Sequence, residues 1–462
     1  MNNRTYNIYF HTHTVSGIII CAVLFVMFFA GSFSFFKDDI AAWQKNTSYV
    51  TARQTTTRDF SAVLDSLGRH HPLKGRDFEF FLNKNGVAAY VSMLPSHDSL
   101  VKKQFKPKPK KAGEEHGRRR GRGRGRGGDE DAASFAYDFG RKQAADYEKA
   151  YDMGEFLYRL HFLAPLNFVR LPVNLGAPFG YLLAGLTAFI FLFALITGLL
   201  LHWQKIVSNF FTFRPFSKWK TVWTDLHTAL GVIQFPFQFV FAVTGVVLIV
   251  NSVLLVPFTQ LAYQGNREQV ESELYGTDTT KYAYTYTPLA APFDLNEFVS
   301  RTERQLPGAR LTRLAIRNYQ DANMHVIVQS APLAEASFAG SGLLVYRVRD
   351  QAVLADTRPT AHSTYVDKVS ALVHHLHFGD FGGRPLRLMY FVLGVLGCVV
   401  IISGIFIWLV ARDKASTPAR ERRFNFWTAN IFLGVCLSML PVTAFTMIAL
   451  LFLKEPGQSS IF

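Results

Sequence analysis

Five stretches of the chain stay apolar for about the 20 residues that a bilayer crossing needs: 14–36, 179–201, 228–250, 387–410 and 428–453. The pattern between them is different. In the first long interval Phe60–Leu67 has helical spacing of its apolar positions. Phe78–Leu82 and Val87–Met93 then alternate as strands around Lys84-Asn85-Gly86. The second long interval repeats the plan. Phe293–Gln305 reads as a helix with Asp294 at its N-cap, followed by strands at Leu311–Arg317, Met324–Gln329 and Gly342–Arg349. The expected fold class is an α-helical membrane protein: a duplicated four-helix core, a fifth C-terminal span and two extracytoplasmic α+β modules.

The expected organisation follows in chain order. Residues 1–36 hold the N-terminus and the first span, 37–100 the first module, and 101–131 a linker. Residues 132–178 lead into the second span at 179–201. A loop at 202–227 precedes the third span at 228–250. The second module occupies 251–386, ahead of the fourth span at 387–410. A loop at 411–427 and the fifth span at 428–453 follow.

Composition agrees with this plan. Of 462 residues 49% are hydrophobic and 18% charged, and 43 are Phe. Soluble domains carry about a quarter charged residues. A purely cytosolic enzyme, a disordered chain and a small disulfide scaffold are excluded. Cys21, Cys398 and Cys436 each lie inside an apolar run, with no C-x-x-C for zinc, redox or c-type haem.

Charge sets the expected orientation. Lys205, Arg214, Lys218 and Lys220 occupy the loop 202–226, and Arg412, Lys414, Arg420, Arg422 and Arg423 the loop 411–427. Lys and Arg in short loops mark the cytoplasmic side. The N-terminus is then cytoplasmic and both modules lie outside. The net charge of +15 comes mostly from Lys102–Arg126, which holds 12 basic and two acidic residues. That Pro/Gly-punctuated stretch reads as a solvated disordered linker. Its Arg-Gly tract resembles RNA-binding arms, but an external location makes nucleic acid an unsuitable partner and favours anionic lipid or envelope polymer.

The chain also repeats itself. The first span opens His13-Thr14-Val15-Ser16-Gly17, and the third His227-Thr228-Ala229-Leu230-Gly231. Ala30-Gly31 and Thr244-Gly245 each end 18 residues after those histidines. That spacing is about five helical turns, so each distal glycine shares a face with its histidine. Leu160-His161-Phe162 and Leu376-His377-Phe378 precede the second and fourth spans, which end in Thr197-Gly198 and Ser403-Gly404. His13 and His227 fall at the cytoplasmic ends, His161 and His377 just outside the external ends. Two copies in the same direction imply a pseudo-twofold axis along the membrane normal.

Four histidines in two symmetric pairs suit a bis-histidine haem b near each face. His13 and His227 would be the axial iron ligands of one, His161 and His377 of the other. Gly17, Gly231, Gly31 and Gly245 would let the macrocycle approach; alternatively the glycines are helix-packing positions. His202 and His374 are weaker ligand candidates. His11 should point elsewhere, and His70, His71, His97, His116, His325 and His362 are expected at the surface. No Walker loop, dinucleotide fingerprint, G-x-S-x-G or H-E-x-x-H occurs. The spans are almost free of charge, which argues against a proton-coupled transporter.

The H-x-x-x-G of the first span, Asp225-Leu226-His227 with Gly231, Leu376–Gly379 and the [TS]-G pairs resemble the PepSY-associated transmembrane family, over about residues 5–412. The external modules resemble PepSY domains. The resemblance implies an inner-membrane protein carrying haem b, like ferric-siderophore reductases, or an iron-regulated membrane protein. It implies electron transfer from a separate donor, quinol or a cytoplasmic reductase, to a ferric siderophore or chelate in the periplasm. The fifth span and basic linker depart from the family pattern. A rival expectation is a non-enzymatic protein that binds or regulates envelope peptidases, or a transport accessory.

Overall fold

The computed structural model describes residues 2–44, 58–83, 86–95, 98–104, 132–140, 142–145, 151–172, 175–275, 277–333, 340–357 and 364–452. Residues 105–131 of the basic linker, Lys84-Asn85 of the first hairpin, and His97, His116 and His362 lie outside the described residues. Two compact units emerge. One comprises Met1–Lys45, Asp152–Gly265 and Leu372–Phe462, the other Asn46–Tyr151 and Asn266–Ala371.

The first unit is helical. Span 1 is Asn3–Ser34, span 2 Phe179–His202, span 3 Trp219–Ala262, span 4 Gly383–Arg412 and span 5 Ala419–Phe452, all long and apolar enough to cross a membrane. A helix satisfies its own backbone groups, so apolar runs fold this way in lipid. Span 3 has 44 residues, far more than its apolar run, and contains Pro236 and Pro257. Span 5 packs on spans 1 and 4. Ala429, Leu433 and Cys436 join Cys21, Phe25, Phe29, Cys398 and Ile405 in one buried cluster. All three cysteines are free.

Two short helices, Met153–His161 and Tyr365–Phe378, run just ahead of spans 2 and 4. The first has a readable start. The Asp152 side chain accepts the Glu155 N–H at 2.9 Å, a capping interaction. Glu155 also binds Arg159 at 2.7 Å and pairs with Lys37, just past span 1. Buried Met153 and Leu157 pack with Ile40 and Leu450. The short helix is thereby fixed to the end of span 1.

The second unit is an eight-stranded antiparallel sheet with two helices on one face. Its strands are β1 (Arg76–Leu82), β2 (Ala88–Pro95), β3 (Ala133–Asp138), β4 (Gln143–Ala145), β5 (Ala309–Arg317), β6 (His325–Pro332), β7 (Gly342–Arg347) and β8 (Ala352–Thr357). Their order is β4-β3-β2-β1-β5-β6-β7-β8. Each long interval between spans contributes four strands and one helix to the shared core, Phe60–Gly68 or Leu295–Gln305. The two segments therefore form one continuous sheet where separate modules were expected. The join is the β1–β5 ladder, with Phe78 opposite Ile316 and Phe80 opposite Leu314. Pairing removes the exposed edge that each four-stranded half would otherwise carry.

Alternation along the strands decides the core. Phe78, Phe80, Val91, Met93, Leu314, Ile316, Val326 and Val328 face Phe60, Leu64, Phe298 and Val299 of the helices. Asn296 ties the two helix starts together. Its carbonyl accepts the Phe60 N–H at 2.9 Å and its amide donates to Asp59 at 2.7 Å. His325 is a correction. It was expected at the surface, yet it is buried, stacked on Tyr282 with ring centres 3.7 Å apart. β5 and β7 pair both edges of β6, and Tyr282 covers the face of the sheet on which His325 lies. His70 is exposed as expected, and His71 is half-buried.

On the other face Glu79 accepts Arg313 at 2.7 Å and Arg317 at 2.6 Å. Burial disfavours its charged form, but Arg317 and Arg313 outweigh that and hold its carboxyl below the usual range. A depressed carboxylate pKa stabilises the fold above the unfolded pKa of about 4 and loses that contribution as pH falls through the folded value. Glu79→Gln should cost on the order of 3 kcal/mol at pH 7 by leaving two part-buried guanidiniums short of a partner. Thermal unfolding of variant and wild type across falling pH should show the difference shrinking toward zero.

Candidate functional site

The structure brings the four repeated histidines together in two pairs. The His13 and His227 ring centres lie 6.1 Å apart. Those of His161 and His377 lie 5.9 Å apart. Along span 3, His227 and Thr244 are separated by about 26 Å of helix rise, and Thr244 is the hydrogen-bond partner of His377. The two pairs therefore occupy opposite levels of the helical unit. His161 and His377 belong to the short helices outside the spans, but their rings reach inward onto spans 1 and 3.

Each ring sits on a glycine of a neighbouring helix. A Cβ at Gly198 would fall 3.0 Å from His13, at Gly404 3.2 Å from His227, at Gly31 2.5 Å from His161 and at Gly245 3.5 Å from His377. The glycines that share a helix with His13 and His227 thus serve the opposite pair. Gly31 seats His161 and Gly245 seats His377, while Gly198 and Gly404 seat His13 and His227. A Cβ at Gly17 or Gly231 would meet nothing within 4 Å. Neither is needed for close helix contact, so both leave room beside their histidines.

Hydrogen bonds set the same tautomer in all four. The Nδ1 of His13 lies 2.8 Å from the Ala194 carbonyl, and that of His161 2.7 Å from the Met27 carbonyl. His227 meets the Val400 carbonyl at 2.9 Å and Ser403 Oγ at 3.0 Å. A carbonyl only accepts, so Nδ1 carries the proton in these three. His377 meets Thr244 Oγ1 at 2.9 Å. Thr244 already donates its hydroxyl proton to the Val240 carbonyl at 2.6 Å, so it accepts from His377. In every case Nε2 keeps its lone pair. A backbone or hydroxyl partner on one ring nitrogen is the arrangement that orients a metal-ligating histidine.

This donor set fits haem b. Two imidazoles bound to opposite faces of one iron place their ring centres roughly 6 Å apart, given metal–nitrogen bonds of about 2 Å. Among the described residues no three His, Cys, Asp or Glu side chains converge as a metal site. Two imidazoles are too few to hold a bare ion, and a porphyrin would supply the remaining donors, so His13 with His227 and His161 with His377 would be the protein ligands of a haem iron.

The remaining candidates are peripheral. His202 is the last residue of span 2. His374 stacks on Phe378 with ring centres 4.2 Å apart, and His375 pairs with Asp380. His11 is exposed and edges against Phe10. Asp225, two residues before His227, enters the sequence reading only as part of the Asp225-Leu226-His227 motif, with no role of its own. It binds Arg214 Nε and Nη2, each at 2.8 Å, and clasps the preceding loop to the start of span 3. The acid beside the histidine, with arginine in a short loop, was the available signal.

A family model described as PepSY-associated TM region matches residues 10–411. The chain belongs to this family. An uncharacterized protein of Pseudomonas aeruginosa is 24% identical over 284 residues, 59% of this chain and 68% of that protein. The family match covers spans 1 to 4, the sheet unit and both histidine pairs. Span 5 lies beyond it. The protein is accordingly a multi-pass membrane protein of the PepSY-associated TM region family.

The glycine seats give a test that needs no cofactor. Gly31→Ala should displace His161 and destabilise the purified chain by about 1–3 kcal/mol, the usual cost of overpacking. Gly17→Ala should be neutral or stabilising by up to about 1 kcal/mol, because alanine is the better helix former. Thermal melts in detergent compare the two.

Proposed function

We propose that the two histidine pairs each hold a b haem and that the protein carries electrons across the bacterial inner membrane to reduce a ferric siderophore or chelate in the periplasm. The observation that carries this reading is the doubled arrangement: four imidazoles with one tautomer, each on a glycine, in two pairs at two levels. The same set of contacts in both halves also supports an internal duplication, with the fifth span added to it. Haem bound at each pair would supply one-electron chemistry.

The chain's own residues have defined parts in this reading. His13 and His227 serve the cytoplasmic site, and His161 and His377 the periplasmic one. The Ala194, Met27 and Val400 carbonyls and the Thr244 hydroxyl hold the Nδ1 protons, keeping Nε2 available. Gly17 and Gly231 leave space beside the cytoplasmic pair. Phe and Tyr side chains, such as Phe241 and Tyr390 at 5.0 Å between ring centres, wall the periplasmic level and exclude water. The basic loops between spans 2 and 3 and between spans 4 and 5 support a cytoplasmic placement. The electron donor is a separate molecule, quinol or a cytoplasmic reductase.

Purified protein should be red and contain two haems per chain, with a Soret band and a sharp α-band on reduction. Colourless protein from haem-replete cells would favour a PepSY membrane protein that binds or regulates envelope peptidases. His13→Ala or His227→Ala should remove one haem and leave the other. His161→Ala, His377→Ala and the double variant should give one common spectrum, because both ligands serve one iron. Additive loss in the double variant would break that pairing. His374→Ala should be much milder.

A further inference from the structure

Span 3 turns a polar face inward. Its buried residues are Asp225, Thr228, Gln234, Gln238, Ala242, Thr244 and Thr259. Polar side chains inside a membrane bundle are costly to bury and need partners. Thr244 bonds His377 and Asp225 bonds Arg214, as described above. The two glutamines are different. Gln234 is fully buried and Gln238 is 5% exposed. Gln238 Nε2 donates to Gln234 Oε1 at 2.8 Å. The other ends of both amides, Gln234 Nε2 and Gln238 Oε1, meet no hydrogen-bond partner among the described residues.

One donor and one acceptor, on two amides that share a hydrogen bond, therefore stay unmet in the interior. Exchanging oxygen and nitrogen on both amides preserves one mutual bond and still leaves one donor and one acceptor. A cation would meet a donor, and an anion an acceptor, so neither ion suits the site. A water molecule accepts from one and donates to the other. Leaving either group unmet in an apolar interior costs about 1–3 kcal/mol, and buried waters characteristically resolve such pairs. Neighbouring helices already crowd the rest of Gln238. A Cβ at Gly397 would lie 2.8 Å from its Nε2 and 3.0 Å from Phe28.

We propose that Gln234 and Gln238 bind a single water molecule inside the helix bundle, midway between the two histidine levels. Gln234 is seven residues beyond His227 and Gln238 six before Thr244, about 10 Å of helix rise in each direction. The bound water is a reorientable dipole in an otherwise apolar stretch. Its placement rests only on the glutamine geometry and holds whether or not the histidines carry haem.

The test is an experimental structure of the full-length wild-type protein at a resolution that shows ordered water. A density peak within hydrogen-bond reach of Gln234 and Gln238 is expected. It should vanish in the Gln234→Met/Gln238→Met double variant. Amides that close on each other, or a side chain filling the gap, would overturn the proposal. Thermal melts give a second readout. Each single Met variant should be less stable than wild type, and the double variant no less stable than the worse single one. Additive losses would show that the glutamines do not share a ligand. The same map reports haem at the histidine pairs, so failure of one reading is distinct from failure of the other.

Discussion

The ties among spans 1 to 4 depend on where four imidazole N–H groups go. An imidazole in a bundle must give its Nδ1 proton to something, and helix carbonyls are already engaged by their own backbone. Close approach to a helix is what makes a second bond to one of them possible. Glycine permits that approach, and the carbonyls of Met27, Ala194 and Val400 each lie one turn before the glycine that seats the ring. Seat and acceptor are thus one device, and it fixes which helix each histidine leans on.

The seats also define the packing. His13 leans on span 2, His227 on span 4, His161 on span 1 and His377 on span 3. Each half of the core is therefore cross-tied at both levels, by one histidine from the first helix of the half and one from the short helix ahead of its second. Span 5 adds its Leu450 to the cluster that holds the Met153–His161 helix. It fills the outer groove of spans 1 and 4 with Ala429, Leu433 and Cys436.

The four histidines were legible because their motifs recur at a fixed spacing. The small-residue–glycine pairs were legible for the same reason. Which glycine seats which ring was not, because that contact runs between helices and helical periodicity reports only one helix at a time. The strands with clean alternation, β1, β2, β5 and β6, could be read. β3 and β4 follow a low-complexity stretch, and β8 carries a half-exposed to exposed pattern at the sheet edge, so neither shows a clear period. The helix Met153–His161 was announced by Asp152 and Glu155, which were passed over beside the stronger span signals. His325 shows that a polar residue in an alternating strand says nothing of which other part of the chain will cover it.

The β1–β5 ladder has a consequence in time. Phe78 pairs with Ile316, and spans 2 and 3 lie between them in the chain. At synthesis rates of about 5–20 residues per second, the first half of the sheet waits on the order of 10–50 s for its neighbour. During that interval the apolar strand β1 presents a bare edge while two further helices enter the membrane. The ladder therefore closes only on a chain that has already crossed three times, with spans 4 and 5 still to follow.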